Sequence, residues 1–517
     1  MISSATTNRR THATLRKPRR PSSGSRRTTR LPLEAALLLL AMIAAALGAG
    51  TWVHPAWSLV AIGNYIWLCT LFFRIEPRSA ILALPFLINS ASSMVALVMI
   101  EYGAEMFELG LVGRPGPWSN ELNFYNLLFF AGIIIAAHPF LRALDSRTSP
   151  SIPLVLDRFA VLLAGIVLTL VTLITLALIV RGLQLGFPLL AGTDRFAFRR
   201  FSADKVTLYA LNLKFVLAYA LGFVTFILPT NRYIRKLAIL SFTALMAVYF
   251  LFGDKFFTQL GALSAFSAPY LYNNYSSVRR RLWTYVVAAA LALTGVMLVT
   301  TYIYSKGFTE TSAATTKRLS GRIVGQGELW FLQSSIGAAP LSWNSTAIAR
   351  YGSSLGIKNV DLYAVQNSLG AHYFSNRYAP DYLRASLHKN AGSVTYTAVT
   401  EAMGLALFGW IGLGVMMLAL GGLLGLACAY IGYAIENRSI LSGFFAAYIY
   451  NQLRNSIVQA TPWVIGSIYS LRWLALILII ELGLLVLVRG SSQSGFRHGR
   501  NTARFARSIK PAPEPAV

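Results

Sequence analysis

A ten-residue run, Gly321-Arg322-Ile323-Val324-Gly325-Gln326-Gly327-Glu328-Leu329-Trp330, puts a cation, an amide, a carboxylate and an indole close together. Aromatic faces stack on the apolar side of sugar rings, while amides and carboxylates take the hydroxyls, so this mix suits a carbohydrate. At i, i+4 and i+8, Arg322, Gln326 and Trp330 would share one helical face, although Gly325 and Gly327 weaken such a helix. A second group is Gly192-Thr193-Asp194-Arg195-Phe196, followed by Arg199 and Arg200. Guanidinium forks match phosphate oxygens bidentately. Arg199 and Arg200 also suit simple snorkelling to lipid phosphate, whereas Arg195 follows a Gly-Thr-Asp turn beside an aromatic. A third group runs from His372-Tyr373-Phe374 to Arg377. A lone loop histidine is more often a surface residue than a base, and Asp381 and Arg384, three apart, can simply pair with each other.

Two further cations lie within apolar stretches: Lys214, and Arg454 in Asn451-Gln452-Leu453-Arg454-Asn455-Ser456. An ionisable group at membrane depth is costly and usually faces a polar cavity. With Lys255 at a tight turn, Lys214, Arg195, Arg322, Arg377 and Arg454 could ring one cavity. Metal chemistry is poorly supported, because none of the six histidines has ligand spacing. No phosphate-cradling glycine loop, Gly-x-Ser-x-Gly elbow or dinucleotide fingerprint occurs.

The elements that must carry these residues follow from composition. Of 517 residues, 55% are hydrophobic and 13% charged, and the mean hydropathy is +0.55. About 20 apolar residues span a bilayer as a helix, and the chain offers roughly a dozen such stretches. The predicted fold is an all-α polytopic membrane protein of about 12 transmembrane helices. They begin near Leu33, Trp57, Ser79, Leu122, Arg158, Thr207, Leu237, Phe256, Leu282, Ala402, Ile440 and Ile468. The seventh and eighth could instead be half-spans re-entering around Gly253-Asp254-Lys255. Short loops rich in Lys and Arg set the orientation as N-in, C-in. The predicted parts are a basic cytoplasmic tail (1–30), nine spans (31–305), a large extracytoplasmic loop (306–400), three spans (401–488) and a second basic tail (489–517). About half of the net charge of +27 sits in the two tails, which points to anionic membrane lipid rather than nucleic acid. Against the positive-inside rule, the loops at 181–205 and 306–389 carry cations outside. They would meet something anionic there.

Gly192-Thr193-Asp194-Arg195-Phe196, Gly253-Asp254-Lys255-Phe256, the Arg322–Trp330 run and Arg454 in a late polar span are together similar to bacterial oligosaccharide repeat-unit polymerases, the Wzy or O-antigen polymerase family. The likeness covers most of the chain as topology and only short motifs locally. It implies a GT-C-like membrane glycosyltransferase of the bacterial inner membrane with its active site facing the periplasm. Such an enzyme moves a growing glycan from polyprenyl pyrophosphate to the next lipid-linked repeat unit, without cofactor or metal. Arginines stand in for a divalent ion. On that reading Arg195, Arg322 and Arg454, then Lys255 and Arg377, hold the pyrophosphate. Gln326, Trp330 and Tyr373 contact sugar, and Glu328 or His372 orients the acceptor hydroxyl. The partners implied are the polyprenyl-pyrophosphate-linked oligosaccharide and membrane lipid, with room for a chain-length regulator. Dolichyl-type C transferases keep an acid in the first outside loop, but here that loop is only Trp52–Pro55 and has none. An O-antigen ligase uses the same donor and is the nearest alternative. A lipid-linked oligosaccharide flippase or transporter is the alternative from another class, disfavoured because the inner halves of the spans hold few ionisable residues.

Overall fold

The computed structural model describes residues 30–106, 109–146, 154–191, 203–228, 230–253, 256–280, 320–321, 323–342, 400–458 and 470–483, with the single positions 198, 284, 374, 377, 378 and 381. Its elements in order are α1 (Arg30–Thr51), α2 (Ala56–Ile75), α3 (Pro77–Leu82), α4 (Leu84–Glu101), β1 (Glu105–Met106), β2 (Leu111–Val112), α5 (Trp118–Ser146) and α6 (Leu154–Leu185). There follow α7 (Lys205–Asn212), α8 (Lys214–Phe226), α9 (Arg232–Leu251), α10 (Phe256–Asn273), α11 (Tyr275–Arg280), α12 (Glu328–Ile336), α13 (Thr400–Glu436) and α14 (Ile440–Val458). Residues 470–483 form a last described helix.

Among the described residues, seven helices (α1, α2, α4, α5, α6, α9 and α13) are long and apolar enough to cross a membrane. The number is eight if the bent α7–α8 pair counts as one span. The chain is thus a helical multi-pass membrane protein. Helix stands at, or within two residues of, each of the other eleven predicted span starts. The α10 and α14 helices, at 18 and 19 residues, are long enough but less apolar, the 470–483 helix is shorter among the described residues, and the predicted ninth span lies outside the described residues except at position 284. Helices α9 and α10, on either side of the predicted turn, are 20 and 18 residues long.

Besides the bent α7–α8 pair, two predicted spans are broken, and each of these breaks has a local cause. The third divides at Ala83: Pro77 sits in the first turn of α3 and Pro85 in that of α4. A proline tolerates a first turn but cannot donate to a continuing helix. The tenth is bent at Gly409, whose φ of 73° and ψ of −172° are not helical. Residues 400–408 are therefore a separate helical piece, and the continuous helix covers 410–436.

Packing at the centre relies on small residues. A Cβ at Gly421 would collide with the Phe129 carbonyl, one at Gly132 with that of Leu418, and one at Gly425 would lie 2.6 Å from that of Ile133. Without a hydrophobic drive between helices in lipid, such close backbone approach is what dispersion needs. Gly222 gives α8 the same closeness to the Phe266 carbonyl of α10. Around this seam Phe86, Phe129, Phe215 and Tyr450 form a ring cluster, and the Tyr450 hydroxyl donates to the Leu82 carbonyl. A two-residue hairpin, with Glu105 paired to Val112, links α4 to α5.

Candidate functional site

At one end of the bundle, the segment 320–342 is not a free loop. Gly325, Gln326 and Gly327 form turns, closed by the Gly327 N–H on the Val324 carbonyl at 2.9 Å, and the helix begins only at Glu328. Gln326 and Trp330 therefore do not share one continuous helical face, because the chain turns at Gly325–Gly327, while Arg322 lies outside the described residues. Gly327 packs tightly against Ala96 and Leu97 of α4, 3.1–3.2 Å from where a Cβ would sit.

From that foothold α12 is fastened to α5. Trp330 is fully buried, and its indole N–H donates to the Trp118 carbonyl at 2.8 Å. Its ring meets Tyr125 edge-on at 5.7 Å and Trp410 at 6.4 Å. The indole is thus occupied by protein rings and presents no face to a sugar. Ser334 donates to the Glu121 carboxylate. The neighbouring buried carboxylate, Glu101, accepts from the Ser119 N–H at 2.8 Å and the Ser119 hydroxyl at 2.9 Å. Glu101 ends α4 and Glu121 lies in the first turn of α5. Glu328 is 1% exposed, so the predicted acceptor-orienting carboxylate lies inside the packed region.

Beyond α12, residues 338–342 lie across the Gly409 bend and satisfy the backbone groups that it frees. The N–H groups of Trp410 and Ile411 donate to the Ala339 and Pro340 carbonyls at 3.3 and 2.8 Å. The Ser342 N–H and hydroxyl take the Phe408 and Leu407 carbonyls, each at 3.0 Å. The Trp410 indole donates to the Ala338 carbonyl at 3.1 Å, and the Tyr125 hydroxyl donates to the Trp410 carbonyl at 3.1 Å. A broken helix in a membrane needs such substitute partners, because lipid offers none. Two apolar grooves of about 260 and 420 Å³ flank Phe124, Tyr125 and Trp410, the smaller also reached by Glu121.

The cations gather elsewhere. α7 and α8 meet at a 50° bend, and Lys214, the first residue of α8, is buried with its ammonium 5.4 Å from the Tyr249 ring centre. The next residue, Phe215, carries the Arg454 guanidinium over its ring at 5.3 Å. Arg454 comes from α14 and lies against Gly261 of α10, with Nη2 donating to Asn455 Oδ1 at 3.0 Å. Its Nε is buried without a hydrogen-bond partner, and among the described residues no carboxylate pairs with it. A cation held by rings and an amide rather than by an acid keeps its charge available to an anionic ligand. Near the start of α7, Asp204 caps the helix and pairs with Arg181 at 2.9 Å. Thr207, through its side chain and then its N–H at 2.8 Å, holds the Asp204 carboxyl below the ordinary aspartate value.

Of the predicted site residues, Arg195, Arg322, Lys255, His372 and Tyr373 lie outside the described residues, as do Arg199, Arg200 and Arg384. Arg377 is exposed and stacks on Tyr378 at 5.6 Å, whose hydroxyl donates to Gln333 of α12 at 3.0 Å. The described residues thus form two groups. Glu328, Trp330, Gln333, Tyr378 and Arg377 go with α12, and Lys214 and Arg454 go with the α7–α8 bend. Asn451 and Ser456 of α14 are buried as well, which matches the predicted polar character of that helix.

The opposite end holds a polar cluster that the sequence reading does not single out. Glu76 meets His138 at 2.7 Å, Arg74 meets Glu34 at 2.6 Å, and Arg78 lies 3.9 Å from Glu436. Arg78 also sits over the rings of Tyr272 and Tyr275 at 5.3 and 4.8 Å. The signal for it is the Glu76-Pro77-Arg78 turn, which brings opposite charges to one inter-span corner. No group of three or more potential metal ligands comes together among the described residues.

Residues 365–479 match a family of unknown function, DUF6418. The match takes in Arg377 and Arg454 but not the 320–342 segment. No curated protein and no solved structure matches the chain.

Proposed function

We propose that the protein is a membrane polysaccharide polymerase. In this reading it transfers a growing glycan from polyprenyl pyrophosphate to the next lipid-linked repeat unit at the outer face of a bacterial inner membrane. The observation that carries the reading is Arg454, a guanidinium enclosed where α8, α10 and α14 meet, with no carboxylate paired to it among the described residues. When the bond between the anomeric carbon and the phosphate oxygen breaks, negative charge grows on the departing pyrophosphate. A fixed cation in a poorly hydrated site stabilises that charge without reorganising. Lys214, one residue from the ring on which Arg454 rests, adds a second positive charge nearby. The acceptor hydroxyl supplies the oxygen of the new bond and releases a proton, for which Glu328 and His372 are the candidate acceptors.

The test supplies the purified full-length chain with lipid-linked repeat units alone. Chain elongation that is lost in Arg454→Gln and partly kept in Arg454→Lys, with both variants still in the membrane, is the expected result. Undiminished elongation in Arg454→Gln would remove the clamp from the mechanism. Transfer that waits for a lipid A core acceptor would identify a ligase. Translocation in proteoliposomes without bond formation would end the enzyme reading.

A further inference from the structure

The face of α5 that meets α2 carries asparagine at every third position. Asn120, Asn123 and Asn126 are 1%, 0% and 2% exposed, and Asn64 on α2 is 7% exposed. α2 and α5 run side by side in the same direction and keep one register along their length. The Asn120 amide donates to the Trp57 carbonyl at 3.1 Å and the Asn123 amide to the Ala61 carbonyl at 2.6 Å, while His138 meets Glu76 at 2.7 Å further along. These partners are 63, 62 and 62 residues apart in the chain. The same offset of 62 sets Asn126 opposite Asn64.

Four amide atoms along this interface have no hydrogen-bond partner among the described residues: Nδ2 of Asn64, Nδ2 of Asn126, Oδ1 of Asn120 and Oδ1 of Asn123. That is two donors and two acceptors within about 9 Å of helix. Lipid offers nothing to such groups, and a buried polar atom left unpaired costs more than an ordinary hydrogen bond returns. All four side chains are neutral, which selects a small neutral ligand able both to donate and to accept. Beyond the Asn64–Asn126 level, Phe72 and Phe130, each 1% exposed, stack with centroids 5.2 Å apart. They form an apolar floor between the asparagines and the Glu76–His138 pair.

We infer that the α2–α5 interface is a binding site for internal water, held among Asn64, Asn120, Asn123 and Asn126 and closed below by the Phe72–Phe130 stack. A buried water makes about three hydrogen bonds, so roughly two waters serve all four atoms. The hydration is part of what fixes the register of the two helices. It stands apart from the glycan chemistry proposed above, so neither reading falls with the other.

X-ray radiolysis of the detergent-solubilised full chain tests this, because hydroxyl radicals arise in place from bound water and label adjacent side chains. Oxygen incorporation at Tyr65 and Phe130 should exceed that at the equally enclosed Phe223 several-fold, and the label should come from ¹⁸O water after slow exchange. The Asn64→Leu/Asn126→Leu double variant should lose the excess at Phe130. Labelling at Phe130 no higher than at Phe223 in the unaltered chain overturns the inference. So does an excess that survives in a folded double variant. If the double variant does not fold, the comparison within the unaltered chain still decides.

Discussion

Replacing Gly409 with alanine should be among the most damaging single-methyl changes in this protein. Its φ of 73° with ψ of −172° lies in a region that side chains with a Cβ rarely occupy, at a cost of about 1–3 kcal/mol. The added Cβ would also collide with the Ala339 carbonyl and lie 3.1 Å from that of Pro340. Those are the two carbonyls that accept the Trp410 and Ile411 N–H groups, so relieving the clash strains two hydrogen bonds worth about 1 kcal/mol each. Together the penalty is about 2–5 kcal/mol. Gly422→Ala, thirteen residues along the same helix, is the matched control. Nothing lies within 4 Å of its Cβ position, and alanine should gain up to about 1 kcal/mol of helix propensity there. The assay is the midpoint of denaturation in mixed micelles of increasing SDS, followed by tryptophan fluorescence. Gly409→Ala should move the midpoint sharply down while Gly422→Ala leaves it or raises it. Equal midpoints for the two variants would refute the account of the bend.

Ser334→Ala should leave the Glu121 carboxylate without its α12 partner, at about 1–3 kcal/mol; hydrogen exchange of the α12 amides should quicken by about tenfold, and Glu121→Gln in that background should recover part of the loss. Gly421→Val should separate α5 from α13 at the Phe129 carbonyl, read as loss of the monodisperse folded species on size exclusion; normal elution would count against the close seam. Because the folded Asp204 pKa is depressed, its contribution to capping α7 is fully present above the ordinary aspartate value and is lost as pH falls through the lower folded value. Exchange at the α7 N-terminus should therefore accelerate only in acid below about pH 4, and Asp204→Asn, which can still cap, should abolish that pH dependence.

Apolar runs made the helices readable, because a bilayer demands length and hydrophobicity of each one separately. Breaks were harder to read. Gly409 lies inside an uninterrupted apolar stretch, and hydropathy carries no record of a dihedral angle. The predicted third span runs from Ser79 straight through Pro85, because whether two helices or one follows Glu76 depends on what packs around Ala83. Trp330 reads as a ligand platform because its run is polar and glycine-rich. Its actual neighbours, Trp118, Tyr125 and Trp410, come from far along the chain. Arg454 was legible, since a guanidinium in an apolar helix stands out against its cost. The spacing of Asn120, Asn123 and Asn126 is equally visible and marks one face of α5, but only the parallel register with α2 gives that face a partner.

The hydrogen bonds that join Ser342 to Leu407 and Phe408 have a consequence for the stretch between them. Both ends of that excursion are tied at one point on the bundle, so its closure is already fixed by the base. A protease cut within residues 343–399 should leave the two fragments joined and the membrane portion intact. Lengthening the stretch by insertion should cost little, about 0.6 kcal/mol for a doubling. The tolerance stops at the buried Phe374 and at Tyr378, whose bond to Gln333 ties the stretch to α12 a second time, so inserted residues belong away from both.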